Sequence, residues 1–394
     1  MSPSYDVAIV GGGAVGSSIA YFLLSDAAFQ GTVAVIERDP TYKRASSALS
    51  ASAIRQQFST PENIRMSQFG IEFLRDIGRH LAVENGDAVD IALREGGYLF
   101  LATAEYEPVM RGNHVLQLAE GADVVLLRPD ELSARFPWMS LEGVTLGSLG
   151  LGDEGWFDGY GLMQGFRRRA RSLGTEYLAA DVVGLELDGR RVARVRLAGG
   201  SALDCGAVVN AAGPWARQVA AMAGVELPVE ARRRMVFVFD ARWQPSDFPL
   251  VVDTSGVWVR PEGEGFICGH APPEHEDLPD LPLEADRRRF EEVLWPALAE
   301  RVPAFEAIKV TNAWAGYYEM NTFDHNAILG PHPEIANLFF ANGFSGHGLM
   351  QSPAVGRAIG ELIVHGRYVT LDLSIFGYER IPAGRPVVEK NVIG

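Results

Sequence analysis

The stretch Asp6-Val-Ala-Ile-Val10-Gly11-Gly12-Gly13-Ala14-Val15-Gly16, with Thr32-Val-Ala-Val-Ile36-Glu37 beyond it, decides the fold. A short apolar run of strand type enters a cluster of glycines, a helical stretch runs from Gly16 to Ser25, and a second β-branched run follows Gly31. Together these make a βαβ unit. The glycines fit G-x-G-x-x-G in the context that gives the pattern meaning, after a strand and at the start of a helix. Gly11 permits the tight turn, Gly13 lets the backbone approach a pyrophosphate, and Gly16 lets the helix pack on the sheet. The free N–H groups where the helix opens, around Ala14 and Val15, suit phosphates. Glu37 follows Gly16 by 21 residues, where a carboxylate accepts hydrogen bonds from ribose hydroxyls and disfavours a 2′-phosphate.

Val7–Leu24 is the most apolar N-terminal stretch. Its glycines and serines, and the lack of a basic flank, exclude a membrane span or secretory signal, so no integral membrane segment is expected. At 394 residues the chain suits two interleaved domains. The net charge of −15 argues against nucleic acid or an anionic membrane as the main partner. Only Lys43, Lys309 and Lys390 are lysines, so almost every cation is an arginine. Cys205 and Cys268 offer no metal spacing and are expected as buried thiols in a reducing, cytoplasmic protein.

Further strands are expected at Tyr98–Ala102, Val183–Leu187, Val192–Leu197, Ala207–Asn210, Met235–Phe239, Val257–Val259, Phe266–Cys268 and Leu338–Ala341. Helices are expected at Gly161–Ser172, Trp215–Ala223, Ala285–Ala299 and Pro353–Val364. The mixed order implies an α/β (α+β) protein, a Rossmann-type domain interleaved with one built on a mixed antiparallel sheet. Pro272–Leu283, Pro-rich and acidic, reads as a surface loop or one crossing a cleft.

Two other segments carry ligand chemistry. In Ala45-Ser-Ser-Ala-Leu-Ser-Ala-Ser-Ala-Ile-Arg-Gln-Gln-Phe58, small side chains let the backbone lie against a flat ligand, and hydroxyls can bond its phosphates or sugar chain. Leu338–Ala341 runs into Gly343-Phe-Ser-Gly-His-Gly348, and the helix beyond presents its positive end to an anion.

With Glu37-Arg38, Val208-Asn-Ala-Ala-Gly-Pro-Trp215 and Trp314-Ala-Gly316, these pieces resemble the family of D-amino-acid oxidases, glycine and sarcosine oxidases and dimethylglycine dehydrogenases. Ser50–Phe58 and Trp314–His325 are most similar to its subgroup of FAD-dependent oxidoreductase domain proteins implicated in complex I assembly. The resemblance implies an FAD-binding domain from residues 1–82, 146–227 and 314–394 and a substrate domain from 83–145 and 228–313. It implies FAD contacts at Gly11, Gly13, Ala14, Val15, Gly16, Glu37, Arg38, Ala45, Ser46, Ser47, Ser50, Ala51 and Ser52. It places Val183 against the adenine, Ala212, Gly213 and Trp215 along the dinucleotide, and Gly316, Gly346, His347, Gly348, Leu349 and Met350 around the flavin. The family's covalent cysteine would fall near Gly316, and Pro40–Arg55 contains no histidine, so FAD is expected to be non-covalent.

In this family the flavin takes a hydride from the carbon beside an amine, and no metal is required. The usual carboxylate anchors, an arginine two residues after the Ala-Gly pair and a lysine soon after Phe-Ser-Gly-His-Gly, are replaced here by Tyr318 and Met350. The remaining candidates for a substrate carboxylate are Arg55, which matches a family active-site arginine, then Arg233 or Arg234, and Arg260. Of Tyr317 and Tyr318, neighbours on a strand, one is expected to face the substrate. His347 is expected to hydrogen-bond the flavin, His270, His325 and His332 to pack or sit in loops, and Arg167–Arg169 to form a solvated helix face. The expected activity is amine or amino-acid oxidation on the CH–NH side of the oxidoreductases. A quinone or electron-transfer protein is the expected acceptor in preference to oxygen, because no lysine falls in a matched flavin segment. The alternative is an assembly or interaction factor with little catalysis of its own.

Overall fold

The computed structural model describes residues 3–84, 86–243 and 245–390. The expected βαβ unit forms as strand Ser4–Val10, helix Ala14–Ser25 and strand Val33–Glu37, with the two strands parallel. The first strand also pairs in parallel with Ala202–Asn210, which pairs in parallel with Leu338–Asn342, while Glu176–Ala179 lies parallel beyond Val33–Glu37. Ile328–Pro331 closes one edge antiparallel, and the hairpin of Val182–Asp188 and Arg191–Leu197 joins Ala202–Asn210 antiparallel. One face of this sheet is covered by Ala14–Ser25, Gly159–Ser172 and Gly348–His365. Val7, Ile9, Val33 and Val35 pack there with Ile19, Phe166 and Val355 in one core.

A second eight-stranded sheet runs in the order Ile308–Asn321, Val229–Ala241, Gly265–Gly269, Trp258–Glu262, Leu250–Val252, Tyr98–Ala102, Leu146–Gly150 and Val124–Leu127. It is antiparallel except between Leu250–Val252 and Tyr98–Ala102. Phe237, Phe239, Phe266, Phe290 and Phe305 fill its separate core. Leu146–Gly150 and the whole of Ile308–Asn321 belong to this sheet, although the expected boundaries at 145/146 and 313/314 had assigned Leu146–Gly150 and residues 314–321 to the nucleotide-binding pieces.

The last helix starts at Gly348 rather than at Pro353. A proline in the second turn removes the amide that would bond the Leu349 carbonyl. The Ser352 hydroxyl supplies that bond at 2.8 Å. The helix expected over residues 285–299 forms as one continuous run over 287–301, widened to a π-helical turn at Phe290–Leu294 just ahead of Pro296. The helix expected over residues 215–223 is shorter, Ala216–Ala221, and is led in by a 3-10 turn, Gly213–Trp215. No described helix is long and apolar enough to cross a membrane.

Candidate active site

Two cavities meet between the sheets. One follows the glycine loop and is lined by Gly11, Gly13, Glu37, Arg38, Ala45, Ala212, Gly213 and Trp215. The other is lined by Ser50, Ala51, Ser52, Gly316, Gly346, His347, Gly348, Leu349 and Met350. Ala14, Val15, Ser46, Ser47 and Glu319 line both. Nearly all the expected cofactor contacts are thus brought together. Gly16 lines neither cavity: a Cβ there would strike the Gly11 carbonyl, so it serves the packing of the helix. Val183 also lies outside; it is 52% exposed, and its neighbour Val182 lines the nucleotide cavity instead.

The local geometry fits a dinucleotide. Gly11 has φ +105°, and a Cβ there would collide with the Ala211 carbonyl. The Gly13 N-cap offers no side chain to the helix from Ala14; the Ala14 amide donates to the Ser47 hydroxyl at 3.1 Å, and the next first-turn N–H donors are left for phosphate oxygens. Glu37 accepts from the amides of Gly12 and Asp39, both at 2.8 Å, which fixes its carboxylate at the wall of the nucleotide cavity. Burial raises its pKa above the usual carboxylate value, against these two bonds. The Arg38 guanidinium lies 3.6 Å from the Trp215 ring centroid, and Arg44, which also lines the cavity, lies 5.6 Å from it.

The ring cavity is held by cross-links between segments far apart in sequence. Ser46 donates to the Tyr317 carbonyl at 2.6 Å, and the Trp314 indole donates to the Leu49 carbonyl at 2.9 Å. Gly346 (φ +101°) passes so close to the Tyr318 ring that any Cβ would overlap it. The helix Gly348–His365 also begins without a side-chain cap.

Arg55 is the guanidinium this cavity leaves without a carboxylate. It is 5% exposed, its Nη2 donates to His347 Nε2 at 3.0 Å, and its buried Nε has no partner. Phe58, Tyr98 and Phe100 surround it at 4.6, 5.7 and 5.4 Å. Arg234 also lines the cavity, but Asp277 already holds it bidentately at 2.7 and 3.0 Å. Arg233, on the opposite face of the same strand, donates to the carbonyls of Pro282 and Glu284. Arg260 does not line the cavity: it donates to the Ala51 carbonyl at 2.7 Å and pairs with Glu262, bracing the wall from behind. The Pro-rich segment therefore runs along the cavity rim, pinned by Arg234, by Arg233 and by the Tyr317 hydroxyl on Leu281.

Tyr317 and Tyr318 both contribute to the wall, with their rings turned to different neighbours. Tyr317 meets Trp215 edge-on at 6.0 Å, while Tyr318 lies against Gly346 with Arg234 5.1 Å from its centroid. His347 spends its ring on protein: Nε2 faces Arg55, and the other nitrogen bonds the Phe344 backbone. Its pKa is held well below the usual histidine value by burial and by Arg55, so it is neutral. This arrangement gives it a role in orienting Arg55, in place of the side-chain flavin contact expected from sequence.

His270 also lines the cavity, against Arg289, instead of simply packing in a loop. His332 receives the amides of Glu334 and Ile335 in a turn. Arg167 lies over the rings of Tyr42 and Tyr177, so the arginine run is not a wholly solvated face. Cys268 is buried and Cys205 only partly so, both as free thiols.

A glycine-loop cavity opening into a second cavity over a glycine-rich turn defines a flavin dinucleotide oxidoreductase fold. Residues 6–362 match the FAD dependent oxidoreductase family, DAO, and the chain belongs to that family. It is 46% identical to the FAD-dependent oxidoreductase domain-containing protein 1 of Xenopus laevis, over 98% of this chain and 85% of that protein. It is 27% identical to mitochondrial sarcosine dehydrogenase of Homo sapiens, over 92% of this chain and 40% of that protein. The solved L-proline dehydrogenase from P. horikoshii superposes with a TM-score of 0.86 at 25% identity, over 98% of this chain and 100% of that one. The protein is an FAD-dependent oxidoreductase of mixed α/β fold.

Sequence reasoning missed Glu319 and Glu154. Glu154 is 1% exposed and accepts from the Gln56 amide at 2.6 Å and the Gln57 side chain at 2.7 Å, directly after Arg55 in the chain. Burial pushes its carboxyl up to about 7. Glu154 lies in no motif, and Glu319 falls inside Trp314–His325 without any ligand chemistry to mark it; only the packing of distant strands reveals their surroundings.

Proposed function

We propose that the protein oxidises the carbon beside the nitrogen of an N-substituted or D-amino acid, or a related amine, and does so as a dehydrogenase. The observation that carries this reading is Arg55, a guanidinium in the ring cavity that meets a neutral imidazole and the Tyr98 side chain but forms no salt bridge among the described residues. When bound, FAD supplies the hydride acceptor. Arg55 holds the substrate carboxylate by charge-assisted bonds, and Tyr318 and Tyr98 shape the apolar wall beside the alkylated amine. His347 stays neutral and fixes the Arg55 fork, so proton loss from the ammonium is left to solvent rather than to this imidazole.

The preference for an acceptor other than oxygen rests on charge. No lysine lines either cavity among the described residues, the cation at Arg234 is neutralised by Asp277, and the remaining ring-cavity guanidinium, Arg55, is taken up by the substrate carboxylate. A fixed free cation near the ring lowers the barrier to superoxide formation. We assign the reaction to the cytoplasm, with a quinone or an electron-transfer protein as acceptor. The test is anaerobic bleaching of the bound flavin by a panel of N-alkyl amino acids, D-amino acids and plain amines. Bleaching is followed by stopped-flow reoxidation with oxygen or a quinone. No bleaching by any amine refutes the activity, and oxygen outpacing the quinone refutes the dehydrogenase assignment.

A further inference from the structure

We propose that Glu319 is a cofactor-binding residue that acts as a neutral acid, donating a hydrogen bond from Oε1 to FAD where its nucleotide half joins its ring half. Five residues line both cavities, and Glu319 is the titratable one among them. A dinucleotide lying through both cavities has to pass this point. The carboxyl sits near the end of strand Ile308–Asn321, opposite Ala231, and its backbone carbonyl accepts from the Ser345 amide at 3.1 Å. Oε2 accepts from the Gly343 amide at 3.1 Å. Oε1 has no hydrogen-bond partner among the described residues, and it points toward Gly348, 3.2 Å from where a Cβ would stand. The surface Glu319 exposes is therefore cavity wall.

No cation forms an ion pair with this carboxyl among the described residues, so nothing offsets its loss of water. Burial raises it to about 8, opposed only by the Gly343 amide. At neutral pH it holds its proton, and an acid oriented by one accepted bond has one O–H left to give. A protonated carboxyl suits this place because the neighbouring pyrophosphate is an anion that an ionised glutamate would repel.

Titratable and charged groups face the junction from both cavities. The turn contributes His347, and the same strand contributes Tyr317 and Tyr318. The ring cavity adds Arg55, Tyr98, Arg234 and His270, and the nucleotide cavity adds Glu37, Arg38, Asp39, Tyr42, Arg44 and Asp181. The Asp39 carboxyl is held below the usual value by Thr41, and burial lowers His270 and raises Tyr42 and Tyr98. The helix start and Ser46-Ser47 contribute none. His347 is kept neutral by burial and the arginines stay charged. Glu37 is raised by burial from 4.5, held by two amides. Glu319 is thus the carboxyl placed to titrate on the alkaline side of neutrality.

The experiment measures FAD binding to the apoprotein by flavin fluorescence from pH 7 to 9.5, for the wild type, Glu319→Gln and Glu319→Leu. The wild type is expected to lose affinity above about pH 8, approaching tenfold per pH unit for one linked proton. Glu319→Gln keeps a neutral donor and is expected to bind within a few fold of the wild type at pH 7 with a flat profile. Glu319→Leu is expected to bind at least tenfold more weakly at pH 7. A flat wild-type profile, a wild-type-like profile in Glu319→Gln, loss of binding in Glu319→Gln at pH 7, or full affinity in Glu319→Leu overturns the proposal. Should the leucine variant fail to fold by circular dichroism, the comparison of glutamine with wild type decides alone.

Discussion

Replacing Arg55 by methionine isolates the role of its charge. Methionine has similar reach and suits the rings of Phe58, Tyr98 and Phe100, and the side-chain partners removed are His347 at 3.0 Å and Tyr98. Arg55 forms no salt bridge among the described residues, although its charge also favours the ionised form of the buried Glu154 carboxyl. What is lost is a charge-assisted bond to a substrate carboxylate, worth about 1.5–3 kcal/mol. At about 1.4 kcal/mol per decade, that corresponds to roughly a 10- to 150-fold loss. The assay is stopped-flow anaerobic flavin bleaching with matched pairs, proline against pyrrolidine and sarcosine against dimethylamine. Wild type is expected to prefer the carboxylated member, whereas Arg55→Met loses this factor for proline or sarcosine and leaves the decarboxylated partner unchanged. Removing Arg55 also lifts one of the three causes that depress the His347 pKa, burial and His325 being the others, so measurement at pH 8 keeps the imidazole neutral in both proteins. Equal losses for both members of a pair, or no loss for the carboxylated one, would refute the reasoning.

Acid precipitation is expected to release the flavin colour into the supernatant, and colour retained in the pellet would contradict non-covalent binding. Glu37→Ala is expected to weaken FAD binding about tenfold or more, with some loss of apoprotein stability, because Gly12 and Asp39 lose their acceptor. Titration calorimetry giving an unchanged dissociation constant would argue against the ribose contact. Glu154 binds its proton more tightly in the folded protein, near pH 7 against 4.5 in the unfolded chain. Its contribution to stability is therefore full below about pH 4.5 and is lost as pH rises through about 7. Glu154→Gln should flatten this part of the apoprotein Tm profile; an unaltered slope would rule the linkage out.

The nucleotide half of the site was legible because its signals are local: a strand, three glycines, a helix and an acid at fixed spacing all fall within residues 6–37. The ring half depended on a resemblance, and its energetics are non-local. Arg234 looked as available as Arg55 until Asp277, 43 positions later, proved to occupy it. Val183 and Val182 differ by one position, which on a strand is a change of face. Strand Ile308–Asn321 was legible only at Tyr317 and Tyr318 and its extent was not, because Lys309, Thr311 and Asn312 are exposed at its start while Ala315, Gly316 and Tyr317 are buried consecutively, so no period-two pattern appears. The helix Pro61–Arg75 carried a proline in its first turn, but its inward face includes Asn63 and Ser67, whose polarity obscures the apolar stripe.

The order of strands around Ser4–Val10 also governs when the protein can become functional during synthesis. Its sheet neighbours come from residues 33–37 and 202–210, and the latter strand waits for residues 338–342. The glycine-loop helix packs against the helix Gly348–His365, where Ser18 donates to the Ser352 carbonyl at 2.8 Å and Gly356 leaves room for Ser18. A nascent chain that has exposed its phosphate loop at the ribosome therefore lacks that helix's partner until residues 348–365 have emerged. Such a topology delays loop closure and leaves apolar strand faces uncovered in the meantime. The glycine loop, first to be made, is among the last parts of the nucleotide domain to be braced.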